Sequence, residues 1–365
     1  MNLFIQQFLL FTFSTFFIIT TIPKIFLNEY SLMIVGFLMM FIQLSNLILS
    51  IILGKFTFKG QYLPIIYFFF FINNLILYFF INNLIITIIS FLLFSIFYNL
   101  IFTYNDSMIL EKHKHKYGTY RSIGSSFFVL MSIFSYSFIK DYNILFILMV
   151  FSSLLLFLNS FSLAKSTIKI HQDIKIKKEY ILNEKYLFIF SIIFNISIAM
   201  YFSFYSIFLT KFGYSMNQVF IIFGVSVIAE TIMLIFQHNI INKNKFLNVY
   251  NLIIFSVFMT VIRFILIQTF PLSFIIQICA NILHLFTFSL FFSSMLLYLK
   301  EKYPSTHFIY STLYRGIGFG IGGTIGALLS GIIYKYYGIY YFYIPAILSF
   351  ISIYFLLKLK KENIK

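Results

Sequence analysis

"YRGIGFGIGGTIGALLSG", Tyr314–Gly331, holds seven of the chain's fifteen glycines. Gly318, Gly320 and Gly323 satisfy G-x-G-x-x-G, a dinucleotide-binding pattern. That pattern cradles a pyrophosphate only where it follows a strand, opens a helix and precedes an acid by about 20 residues. Here the glycines lie inside one continuous apolar run, and Tyr334 and Lys335 stand where the acid is needed. Helical spacing explains them better. Gly318, Gly322, Gly326 and Ser330 recur every fourth residue and share one face, with Gly323, Ala327 and Gly331 in an adjacent row. Small residues at this spacing let helix backbones approach closely inside a membrane. The stretch reads as a membrane-crossing helix, with Gly318, Gly322 and Gly326 as helix-packing positions.

The same character extends along the whole chain. Of its 365 residues 61% are hydrophobic and 10% charged, against about 45–50% and 25% in soluble domains. Apolar runs long enough to cross a bilayer recur, at about 3–22, 31–53, 62–81, 84–104, 119–139, 143–164, 186–209, 217–238, 247–268, 272–298, 309–334 and 338–358. The fold class is an all-α polytopic membrane protein with twelve transmembrane helices. The first run has no basic residue before it and no small-residue cleavage pattern, so it reads as a retained span. Phe, Ile, Asn, Lys and Tyr dominate. All five are residues of A/T-rich codons, so any single Phe, Tyr or Asn carries little weight. Cys279 is the only cysteine, which excludes an intrachain disulfide and a cysteine metal cluster. No H-E-x-x-H, G-x-S-x-G or phosphate loop occurs; neither enzyme chemistry nor a cofactor or metal is expected.

The net charge of +16 is distributed by topology. With the N-terminus in the cytoplasm, one set of loops and the tail hold Lys55, Lys59, Lys112, Lys114, Lys116, Arg121, six lysines at 165–185, Lys243, Lys245, Lys300, Lys302 and four C-terminal lysines. The opposite side holds Lys24, Lys140, Lys211 and Lys335. This asymmetry places both termini in the cytoplasm and leaves no clustered basic domain for nucleic acid. The K-H-K-H-K run at Lys112–Lys116 reads as part of the basic side, since alternating lysines repel a metal cation. The hydrophilic segment 165–185 divides the chain into six-helix bundles at 1–164 and 186–365. Y-R-x-I-G opens the fifth span at Tyr120 and the eleventh at Tyr314, equivalent places in the two halves.

Charges inside spans are costly, at least ~2.5 kcal/mol each by insertion scales, and are functional candidates. Glu230 lies in the eighth span, Arg263 in the ninth and His284 in the tenth. A carboxylate with a switchable arginine partner is a proton-coupling element, so Glu230 and Arg263 are assigned proton coupling and His284 a substrate contact. A purely structural Glu230–Arg263 pair, a satisfied interior histidine and an Arg263 reaching outward are the competing readings. Arg121 and Arg315 begin their spans, where reaching out to the cytoplasmic surface competes with a role in a cavity. Asp106, at the cytoplasmic end of the fourth span, either pairs with Arg121 or is solvated.

At these residues the chain resembles the lactose permease/phenylpropionate permease-like branch of the major facilitator superfamily. "YGTYRSIGSSFF" (Tyr117–Phe128) is similar to that branch's Y-G-x-x-R-x-x-G-S-x-G-F signature. "VIAE" at Glu230, "VIRFILIQTFP" around Arg263, "ILHLFTFSLFF" around His284 and the glycine-rich eleventh span match in turn. The resemblance implies two pseudo-symmetric six-helix bundles, with substrate bound between them and alternating access. It implies substrate binding by Arg121 with Asp106, and substrate- or proton-linked roles for Glu230, Arg263 and His284. Three departures stand out. Thr287 occupies the place of a second carboxylate that lactose permeases need for coupling, Phe58 replaces an aspartate usual after the second span, and Arg315 is unusual at its place.

The reading is a monomeric, multi-pass secondary transporter of the cytoplasmic (inner) membrane. It moves a small organic solute, such as a sugar, nucleoside or aromatic acid, together with protons. A passive facilitator or proton-driven exporter of the same fold is the alternative. A membrane-embedded enzyme or lipid-handling protein lacks any catalytic constellation to support it.

Overall fold

The computed structural model describes Ile5 and residues 17–53, 60–113, 117–138, 142–164, 181–182, 184–243, 248–304 and 306–362. These residues form twelve principal helices and, among them, no strand. A π-helical turn, Phe17–Thr21, leads into α1, Ile22–Glu29. Then come α2 (Leu32–Leu53), α3 (Leu63–Phe79), α4 (Leu84–His113), α5 (Tyr117–Phe138) and α6 (Tyr142–Leu163). They are followed by α7 (Lys185–Lys211), α8 (Met216–Lys243) and α9 (Val249–Thr269). Helix α10 runs Phe274–Ile282, a π-helical segment Leu285–Leu290, and Phe291–Lys302. Helix α11 likewise runs His307–Tyr314, a π segment Arg315–Gly322, and Gly323–Tyr337. Helix α12 is Tyr343–Glu362.

A bilayer offers no water to unpaired backbone groups, so apolar runs close their hydrogen bonds within helices. Eight helical stretches among the described residues are long and apolar enough to cross a membrane, and Leu63–Phe79, Ile123–Phe134 and Tyr343–Leu359 are shorter apolar ones. The helices overrun several expected ends. The first continues through Glu29, with Pro23 in the first turn of α1, where its missing N–H is harmless. Lys24 is therefore inside a helix. Helix α4 continues to His113, which puts Asp106 within the helix. Between α7 and α8, Gly213 has φ +88°, a left-handed value that glycine adopts without strain.

The helix pairing repeats with a shift of six. Helix α3 packs on α6 and α9 on α12, while α2 packs on α4 and α8 on α10. The large contacts across the middle are α2 with α11 and α5 with α8, which the same shift exchanges. Helix α7 is the most enclosed, with 67% of its span buried against 39% for α2.

Helix α11 wedges between α7 and α2, and its two rows of small residues face one each. A Cβ on Gly322 would stand 2.5 Å from the Ile192 carbonyl oxygen, and Gly318 and Gly326 meet Ser191 and Ile196 of α7. On the other face Gly323 meets Gln43 and Gly331 meets the Leu32 carbonyl of α2. From α2, a Cβ on Gly36 would come 2.8 Å from the Gly331 nitrogen. Backbone thus touches backbone on both sides.

At the corner joining α10 to α11, Lys302 Nζ lies 2.8 Å from both carboxylate oxygens of Glu184. It also lies over the Tyr298 and Tyr303 rings. Burial, then the Glu184 carboxylate, push the Tyr303 hydroxyl's pKa far up, so it stays protonated. The pair ties the chain entering α7 to the far end of α10.

Candidate functional site

A cavity of about 180 Å³ lies where the two sets of six helices meet. Ile19, Tyr98, Phe102, Ser125 and Phe128 form one wall. Tyr201 and Phe202 of α7, Phe223, Ser226, Val227 and Glu230 of α8, and His284 and Phe288 of α10 form the other. The wall is mostly aromatic, with a few polar groups, as in small-molecule sites generally.

The polar groups are wired together. Glu230 Oε2 is 3.5 Å from His284 Nε2, and His284 Nδ1 is 2.9 Å from Arg263 Nη1. An arginine only donates, so Nδ1 accepts and the ring proton sits on Nε2, facing the carboxylate. His284 is then a neutral link between an anion and a cation. Arg263 is 2% exposed. Its Nη1 also donates to Thr287 Oγ1 at 3.2 Å, and its Nη2 to Tyr201 Oη at 2.5 Å and Asn281 Oδ1 at 2.8 Å. Its guanidinium carbon stands 4.3 Å from the centroid of the Tyr201 ring. The chain runs on: Tyr201 Oη donates to Asn281 Oδ1, Asn281 Nδ2 to Tyr205 Oη, and Tyr205 Oη to Gln277 Oε1, at 2.9, 2.6 and 2.9 Å. Gln277 Nε2 ends it on the Ile267 and Phe270 carbonyls, both at 3.0 Å, clamping the α9–α10 corner.

Local structure aims these groups. Gln277, Asn281 and His284 stand four and three residues apart on α10, and Tyr201 and Tyr205 four apart on α7, so each set shares a helix face. The π segment begins directly after His284. Such insertions shift the register of everything beyond them and occur often at functional sites.

The structure brings together three of the expected site residues, Glu230, Arg263 and His284, but not in the expected pairing. Glu230 and Arg263 are not in direct contact in this conformation; the His284 ring stands between them. The direct carboxylate–arginine pair is therefore corrected to a three-member chain. The side chains of Arg121 and Asp106 lie outside the described residues, as does Phe58; only the helical backbone of Arg121 in α5 and Asp106 in α4 is described. Thr287 accepts from Arg263, so the place of the missing carboxylate still holds the arginine, without charge. Tyr201, Asn281, Tyr205, Gln277 and Phe288 were not anticipated. The i, i+4, i+7 polar stripe on the tenth span was the available signal.

The family described as the MFS_1 like family matches residues 3–345 of the chain. No curated protein matches it in sequence. Among solved structures, it is similar to the nucleoside transporter NupG at TM-score 0.78 and 16% identity, covering 99% of this chain and 98% of that one. It is also similar to the human organic anion transporter MFSD10 (TETRAN), at 0.65 and 10%, covering 97% and 98%. The POT family transporter PepTSo follows at 0.72 and 9%, covering 98% of each chain.

Proposed function

The chain belongs to the MFS_1 like family, a multi-pass membrane protein with the major facilitator fold, and on that premise we propose that it is a proton-coupled secondary transporter of a small organic solute. Its substrate is a sugar, nucleoside or aromatic acid, moved by alternating access between bundles at 1–164 and 186–365. The repeated helix pairing supports the two bundles, and the loop charges support cytoplasmic termini in an inner membrane. NupG and MFSD10 are named for nucleosides and organic anions, both compatible with an aromatic-walled cavity.

One observation carries the coupling: a cavity-lining carboxylate reaches a buried arginine through a neutral histidine. Protonating Glu230 removes the negative charge that answers Arg263, so the chain has two states differing by one charge. Intramembrane ionisable groups of this kind mark proton and substrate paths. Arg121, with Asp106, is the substrate contact proposed from the first bundle, on family resemblance, and His284 the one from the second.

The test is uptake of labelled nucleosides, sugars and aromatic acids into proteoliposomes, with and without an inward proton gradient. Gradient-driven accumulation is expected in the wild type, and in Glu230→Gln only equilibration. Accumulation unchanged by the gradient, or retained in Glu230→Gln, sinks the coupling. Flux that only equilibrates in the wild type supports a passive facilitator of the same fold.

A further inference from the structure

The π segment of α11 opens on Arg315, an exposed arginine with no acidic or hydrogen-bonding partner among the described residues. Eight residues, about 12 Å of helix, separate it from the start of α11 at His307. Its guanidinium carbon lies 5.2 Å from the centroid of the Phe292 ring. That ring is the last of a stack along α10. His284 stacks on Phe288 at 5.2 Å and 19°, and Phe288 on Phe292 at 6.3 Å and 8°. The first two rings line the cavity. Phe292 continues their face four residues on, so Arg315 caps a ladder of flat surfaces that begins in the cavity. An arginine reaching for the membrane surface has no reason to seat itself there.

The electrostatics point the same way. Glu230 is answered through His284 by Arg263, so those charges cancel. Among the described residues Arg315 is left as an uncompensated positive charge at the end of the aromatic wall. A neutral ring gains only stacking from such a wall, and a cation is repelled. A flat solute with one negative charge gains both stacking and a charge-assisted hydrogen bond from the guanidinium.

We infer that Arg315 is a substrate-recognition residue selecting planar, ring-bearing monoanions, with a carboxylate or phosphate, over the corresponding neutral rings. This rests on the transporter reading above and narrows its substrate class.

Two measurements on the full chain test it, neither involving flux or a proton gradient. The first needs no ligand. In a Cys279→Ser background, Phe288→Cys places a single thiol on the ladder. Its rates with methanethiosulfonate reagents bearing a sulfonate or a trimethylammonium group report the local potential. Adding Arg315→Gln is expected to lower the sulfonate-to-trimethylammonium ratio about fivefold, as one charge about 10 Å away requires in a partly screened site, and Arg315→Lys to preserve it. An unchanged ratio in Arg315→Gln overturns the inference.

The second is thermal stabilisation by benzoate against benzamide and by uridine 3′,5′-cyclic monophosphate, a phosphodiester with one negative charge, against uridine. The charged member is expected to stabilise more in at least one pair. The benzoate arm marks a carboxylate solute and the nucleotide arm a phosphate one. That preference is expected to vanish in Arg315→Gln and partly return in Arg315→Lys. Preference for the neutral member, or a charge preference surviving Arg315→Gln, overturns it. Loss of gradient dependence with these readouts intact sinks the coupling proposal instead.

Discussion

The two walls of the cavity differ in kind. From the turn before α1 and from α4 and α5 the described side chains are aromatic or aliphatic, with hydroxyls on Tyr98 and Ser125 alone. From α7, α8 and α10 come Glu230 and His284, backed by Arg263 and a hydrogen-bonded ladder reaching the α9–α10 corner. Among the described side chains, one side gives shape and the other holds charge in a fixed arrangement. Matching helix pairings therefore need not carry matching chemistry. The groups proposed for coupling lie in one half while the other packs against it through α2–α11 and α5–α8.

The largest effect separating the walls is expected at Arg263. Arg263→Met leaves His284, Thr287, Tyr201 and Asn281 without their shared donor. Each buried group left unpaired costs about 1–3 kcal/mol, and each 1.4 kcal/mol is about tenfold. Uptake should fall at least about 100-fold. Ile19→Leu on the opposite wall should cost no more than about tenfold, since a volume-conserving swap costs less than roughly 1.5 kcal/mol. Equal losses from the two, read as initial rates in proteoliposomes, mean that the asymmetry has no functional content.

The two seams of α11 give the next contrast. Gly326→Val drives side-chain atoms into the Ile196 carbonyl within one half. Overpacking of this kind costs about 1–3 kcal/mol, so thermal unfolding in detergent should begin several degrees lower. Gly36→Ala presses on Gly331 across the halves. It should leave the melting temperature near wild type, because the seam parts instead. Its signature is faster thiol labelling of Leu32→Cys in a Cys279→Ser background. A drop in melting temperature as large as that of Gly326→Val contradicts this division of labour.

The smallest effect is expected at Ser125, the one aliphatic hydroxyl among the described residues of the apolar wall. Ser125→Ala should change KM by no more than about threefold, a hydrogen bond's net contribution being about 1 kcal/mol or less there. A larger change gives the first wall a recognition contact besides the proposed Arg121.

Much of the fold was legible because long apolar runs and their basic flanks are written directly in residue order. The helix overruns at Glu29 and His113 were not, since polar residues continue a helix beyond the apolar core without marking its end. The Glu230–Arg263 pairing failed for a geometric reason. The three ionisable residues lie on three helices, and the π segment after His284 sets the register with no residue type of its own. Tyr201, Tyr205 and Asn281 escaped because tyrosine and asparagine are abundant throughout, so their recurrence looked like composition. The spacing on α10, rather than residue type, carried the information. Arg315 was ambiguous in sequence, and the ring beneath it gives its position meaning.

The neutral histidine has an electrical consequence. Glu230, His284 and Arg263 together sum to zero charge, and moving one elementary charge through a membrane potential involves about 2.3 kcal/mol per 100 mV. With Glu230 ionised, this cluster contributes no net gating charge as the protein reorients, and voltage has little hold on it. A proton on Glu230 makes the sum positive, and the field then favours one orientation over the other. A bound monoanion cancels that charge again. On the proposed cycle, voltage would act on the protonated, substrate-free carrier and, in the opposite sense, on the ionised, anion-bound one, and would spare the two forms whose charges cancel.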